Sequence, residues 1–171
     1  MPELPDVETF KRYIDATSLH KIIKDVSVKN EKILEDISKE SFEQGLVQSR
    51  FLETYRHGKY LFLKTSSNRW VILHFGMTGF IRYFKEIKDQ PAHTRLLITF
   101  KNGFYLAFDN QRLLGKIGLV QSIDDYLEKK ELGVDGLQVS YDLFQELLEK
   151  RRGMAKSTLM NQSIISGIGN I

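Results

Sequence analysis

At 171 residues, 42% hydrophobic and 27% charged, the chain is long enough to bury a real core and has the composition of a soluble globular protein. It contains no cysteine, which excludes disulfides and thiolate nucleophiles, and its histidines (His20, His57, His74 and His93) show no helical or finger-like spacing, so no metal site is expected within the chain. The net charge of +3 permits a polyanionic partner without demanding one; no apolar run is long enough to span a bilayer, and the N-terminus lacks the basic start and apolar core of a signal peptide.

The chain opens on MPELPDVE, two prolines and three carboxylates ahead of any apolar periodicity. Removal of Met1 before the small Pro2 would expose a secondary amine. An α-amino group titrates near ~8, so a sizeable fraction is neutral and nucleophilic at physiological pH, and amine attack on carbon to form a Schiff base is an established covalent strategy. Glu3 stands one residue away as a proton donor or acceptor. The plain structural reading of the same residues is a helix start, with Pro5 and Asp6 in the first turn.

Val7, Phe10 and Ile14 predict an amphipathic helix over residues 5–17. Residues 21–30 lean to strand, and Ser41 with Gln44 suggests a capping box opening a short helix at 41–47. From residue 51 to 120 the pattern becomes repeated short strands. YLFLKT and RWVILHF flank a Ser66-Ser67-Asn68 turn; RLLITF and FYLAF flank Lys101-Asn102-Gly103; a further strand fits 117–121. This is an antiparallel sandwich or barrel, with Phe62, Trp70, Phe100 and Phe104 expected in its core. After Ser122 the pattern turns helical. Ser140 caps a helix over 140–150 that ends in Lys150-Arg151-Arg152-Gly153, a second helix is expected over 155–165, and residues 166–170 form a glycine-rich turn. A helix should follow such a turn, so the chain reads as a fragment.

Four blocks then agree. MPELPDVE, RHGKY at 56–60, HFGMTG at 74–79 and MAKSTLMNQSIISGIGNI at 154–171 resemble, in order and spacing, those of the formamidopyrimidine-DNA glycosylase and endonuclease VIII family of base-excision repair enzymes. The resemblance spans essentially the whole chain. The N-terminal signature with GIGNI is highly specific, whereas HFGMTG alone would be weak. It implies an α+β protein: an N-terminal antiparallel β-sandwich flanked by helices (residues 1–121), then a helix–two-turn–helix domain (122–171) that is incomplete here. The family's zinc finger would lie downstream, so no cofactor is expected in this chain, although zinc is possible in the missing C-terminal part.

By that resemblance the protein is a bifunctional DNA glycosylase and AP lyase for oxidised bases. Its partner is duplex DNA carrying a damaged base or abasic site; it is monomeric, intracellular in cytoplasm or nucleoid, and not membrane-bound. Pro2 matches the nucleophile, Glu3 the acid/base, and Lys59 a β-turn lysine that contacts phosphate near the lesion. Asp6 stands where the family usually has Glu, one methylene shorter. Met77 matches the residue inserted where the base has been extruded. In the second wedge loop the family's Arg-Arg-Phe-Gly becomes Arg112-Leu113-Leu114-Gly115. Arg112 can still face the orphaned base, Leu113 replaces a phosphate-holding arginine, and Leu114 replaces an aromatic wedge. Lys156 and Asn170 match residues that grip the flanking phosphates. The departures at 113 and 114 motivate the alternative of a noncatalytic damaged-DNA-binding paralogue.

Overall fold

The computed structural model describes residues 2–149 and 153–170. Helix α1 (Leu4–Thr17) begins where the acidic start predicts: Glu3 is its N-cap residue, Pro5 lies in the first turn, and the Glu3 amide donates to Asp6 Oδ2 at 2.8 Å. Its apolar stripe turns Val7 and Ile14 into the core, fully buried.

The strands form two four-stranded antiparallel sheets. Sheet one runs β1 (Ile23–Val28), β6 (Thr94–Phe100), β7 (Tyr105–Asp109), β5 (Phe80–Phe84); sheet two runs β2 (Phe51–His57), β3 (Tyr60–Thr65), β4 (Trp70–His74), β8 (Lys116–Val120). Alternate residues of the two sheets face each other: Val26, Ile98 and Phe108 meet Leu61, Leu63, Val71 and Leu73 in one cluster with α1 and with Phe42 and Leu46. The unbroken apolar runs of β3 and β4 have a second cause. Phe62 and Ile72 point away from the sandwich and are covered by Tyr126 of helix α3 (Ile123–Lys129). Helix α3 is capped by Ser122, whose Oγ accepts from Asp125 N at 3.2 Å.

Several expectations shift. The short helix α2 (Lys39–Leu46) starts earlier, because Ser38 rather than Ser41 is the cap: Ser38 Oγ accepts from the Ser41 amide at 3.2 Å, which leaves Gln44 in mid-helix. Phe62 and Phe100 are core, but Trp70 and Phe104 are only half-buried. Trp70 lies under the Lys64 ammonium (5.5 Å) and Phe104 stacks on Tyr83 (4.9 Å, 3° between planes).

The later helices are α4 (Tyr141–Glu149), whose first turn is capped by Ser140 Oγ accepting from Leu143 N, and α5 (Ala155–Leu159). The basic helix end expected at 150–152 lies outside the described residues. The helix expected over 155–165 stops at 159. Asn161 Oδ1 accepts from Ser163 N (2.9 Å) and Ser163 Oγ (2.8 Å), diverting the backbone, and β10 (Ile165–Ser166) pairs in parallel with β9 (Val134–Asp135). Ile164 and Ile165 are buried there as a strand-like plug rather than as a helix face.

Candidate active site

Three segments remote in sequence converge at the start of α1: residues 2–8, the β2–β3 turn at 57–60, and the loop at 166–170. Glu3 is buried at 7% exposure, accepts from the Asn170 backbone amide through Oε1 (3.1 Å), and faces Lys59 Nζ across 3.8 Å. A Cβ at Gly169 would stand 1.3 Å from Glu3 Oε2, so only glycine admits the carboxylate there. Gly58 and Gly167 meet in the same way. Both have positive φ (+55° and +112°), and a Cβ at Gly58 would lie 2.0 Å from the buried Ser166 Oγ, which has no hydrogen-bond partner among the described residues.

The convergence is held by a residue that motif reading passed over inside RHGKY. Arg56, 8% exposed, donates to Glu8 Oε2 (3.0 Å), to both Asp135 oxygens (2.5 and 3.1 Å) and to the Gly58 carbonyl (3.2 Å). Asp135, fully buried, also accepts from the amides of Gly58 (2.6 Å) and Leu137 (2.9 Å). Burial, the largest single influence, raises both carboxyls, but the Arg56 guanidinium together with the Gly58 and Leu137 amides at Asp135, and with Arg12 and Lys11 at Glu8, holds them below the usual carboxylate range, while Arg56 itself is pushed up. Beside this network, His57 Nε2 bonds the Gly133 carbonyl at 2.8 Å.

Pro2 is half-buried and, with Asp6, Phe10, Met77, Thr78 and Gly79, lines a shallow cleft of about 290 Å³. A larger cleft, about 480 Å³, lies elsewhere between Trp70 and Ile123; its Glu53 and Asp124 carboxylates repel an anionic ligand. Across the smaller cleft stand two loops. Met77, 42% exposed, occupies the tip of the 75–79 turn, and Leu114, 47% exposed, projects beside it with the exposed Arg112. Gly76, at φ +60°, backs directly onto Leu114: a Cβ would meet its carbonyl carbon at 2.5 Å. The Arg112 amide donates to Thr78 Oγ1 at 3.3 Å. Leu113, at φ +55°, packs partly buried against the sandwich core.

The structure therefore brings Pro2, Glu3, Asp6, Lys59, Met77 and the Asn170 backbone to one face. Arg112 and Leu114 flank it across the Met77 turn. Lys156 is exposed on α5, and no contact joins its side chain to this cluster. Among the described residues no group of three His, Asp or Glu side chains is placed to hold a metal ion.

A family model described as Formamidopyrimidine-DNA glycosylase N-terminal domain matches residues 1–117. The formamidopyrimidine-DNA glycosylase of Ureaplasma parvum is 33% identical over 178 residues, and that of Pelotomaculum thermopropionicum 33% over 176. Both alignments take in all of this chain, which spans 64% and 63% of the length of those relatives. Among solved structures, Lactococcus lactis Fpg in complex with DNA containing N7-benzyl-Fapy-dG superposes with a TM-score of 0.91 at 25% identity, over 99% of this chain and 64% of the other. The complex of the same protein with abasic-site DNA gives 0.90 at 26% identity, over the same shares of the two chains.

Proposed function

Since the chain belongs to the formamidopyrimidine-DNA glycosylase family, we propose that the protein is a base-excision DNA glycosylase with AP lyase activity on oxidised bases in duplex DNA, within the cell. The observation that carries this reading is the buried Glu3 carboxylate, held between Lys59 and the Asn170 amide and adjoining Pro2 at the head of a cleft.

Once Met1 is removed, the Pro2 nitrogen attacks C1′ of the damaged nucleoside; the N–C1′ bond forms as the glycosidic bond breaks, and the base departs with the proton that the Pro2 nitrogen releases. Glu3 protonates the sugar ring oxygen, opening the ring and leaving an iminium on Pro2. A secondary amine gives an iminium with no N–H to lose, so it stays an electron sink. Loss of a C2′ proton expels the 3′ phosphate, and a second elimination expels the 5′ phosphate. Lys59 receives the phosphate beside the lesion, and Lys156 and Asn170 grip the flanking phosphates. Asp6 supports the Glu3 backbone. Met77 and Leu114 fill the space of the extruded base and Arg112 faces its orphaned partner. The division of labour follows a boundary near residue 121, with catalysis on the sandwich and phosphate contacts added by 122–171.

The test is borohydride trapping by the full-length protein on abasic and oxidised-base duplexes, with peptide mapping of the adduct. The expected adduct sits on Pro2, and Pro2→Gly, whose imine can lose its N–H proton, accumulates product from the first elimination. No adduct, or a Pro2→Gly variant indistinguishable from its parent, overturns the reading. Tight lesion-dependent binding without cleavage would instead favour a noncatalytic damage-binding protein.

A further inference from the structure

Asn110 is fully buried, carries no charge, and lies between the two loops that flank the cleft. Its backbone is rooted in sheet one: its amide donates to the His93 carbonyl (3.0 Å) and its carbonyl accepts from Arg95 Nε (2.9 Å). Its side chain reaches both loops at once. Nδ2 donates to the Phe75 carbonyl at 2.8 Å, the same oxygen that accepts the Gly79 amide (2.9 Å) and closes the Met77 turn. Oδ1 accepts from the amides of Leu114 (3.1 Å) and Gly115 (3.3 Å), which set the second loop. Glycines pack around it: a Cβ at Gly79 or Gly115 would stand 2.8 or 2.5 Å from Nδ2.

We propose that Asn110 is a positioning residue that locks the Met77 turn and the 112–115 loop into one rigid two-pronged wedge, so that Met77 and Leu114 enter DNA as a unit. This rests on the wedge role given to those two side chains above. Leucine stacks poorly on bases, so a rigid mount substitutes for the stacking that an aromatic prong would supply. Only an amide fits the site: it needs a donor toward Phe75 O and an acceptor toward two N–H groups on opposite sides of one planar group.

Asn110→Asp keeps the shape and the acceptor but sets a carboxylate oxygen against the Phe75 carbonyl. In the full-length protein we expect the trapping rate on an abasic duplex to fall about tenfold. In a Met77→Ala/Leu114→Ala background, which lacks both prongs, Asn110→Asp should cost nothing further, whereas a general loss of stability would cost the same in both backgrounds. Amide hydrogen exchange at Gly79, Leu114 and Gly115 should accelerate together. An additive loss in the prongless background, or faster exchange in one loop only, overturns the proposal. If the parent forms no adduct, the glycosylase reading falls and the exchange result alone decides on the lock. Asn110→Ser takes the place of Asn110→Asp if the latter does not fold.

Discussion

Arg56 uses its guanidinium to tie Glu8 and Asp135 to the Gly58 carbonyl, joining segments remote in sequence. A bidentate fork is needed here because Asp135 offers both oxygens in one plane, and lysine would supply a point charge in place of that geometry. Removing the arginine strands a fully buried carboxylate with only two amide donors, Gly58 and Leu137. Arg56→Met should therefore cost about 3–5 kcal/mol in chemical denaturation. Adding Asp135→Asn should restore part of that loss, since it removes the stranded charge and its amide oxygen still accepts one of the two N–H groups. A single Arg56→Met variant within about 1 kcal/mol of its parent would show the network to be dispensable. Arg56 stands inside a legible motif, yet Asp135 lies 79 residues away with no local signature. Spacing along a chain carries no information about such a pair, and for that reason Lys59 could be singled out from RHGKY while its structural neighbour could not.

Elements were legible where local chemistry decides them and misread where tertiary contacts do. The Asn102-Gly103 hairpin forms as expected, with Gly103 at φ +84° and Asn102 Oδ1 accepting from Phe104 N (3.1 Å), because turn residues act within a few positions. The segment after residue 159 fails as a helix because Ile165 and Ser166 gain a strand partner in Val134 and Asp135. That pairing delivers the 166–170 loop to Glu3, and Gly169 is where loop and carboxylate touch. Gly169→Ala should displace Glu3 and lower the trapping rate at least tenfold, the usual size of a lost acid/base contribution being about 10²-fold or more. The melting temperature should move little, by about 2–4 °C for each 1 kcal/mol lost, because the loop's bonds to Gln162 and Gly136 do not involve Glu3 and only the Asn170 amide bond is disturbed. An unchanged trapping rate would mean that Glu3 does not act from this position.

At the scale of the whole molecule, three carboxylate and imidazole groups tie stability to pH in the same direction through different physics. His74, on β4 and packed at a tilt against Tyr60 (ring centroids 4.7 Å), is held below its ordinary value by burial; Glu35 opposes this, and the nearby Lys59 and Lys130 charges lower it further. In the unfolded chain it takes up a proton near ~6.5. Below that pH the unfolded state binds more protons than the fold, so stability declines as pH falls from about 6.5 toward the folded value of His74. Asp135 and Glu8, both depressed, add a second decline. Their stabilisation is fully present above the unfolded carboxylate values near ~4 and is lost as pH falls through the lower folded ones. Urea denaturation from pH 8 to pH 3 should thus give a plateau, a shallow slope below about 6.5 and a steeper one below about 4. His74→Phe preserves a ring against Tyr60 while removing the titrating nitrogen, so it should abolish the shallow slope and leave the steep one. A shallow slope that survives in His74→Phe would assign it to another histidine, and a plateau extending unbroken to pH 4 in the parent would show that burying His74 does not hold it neutral.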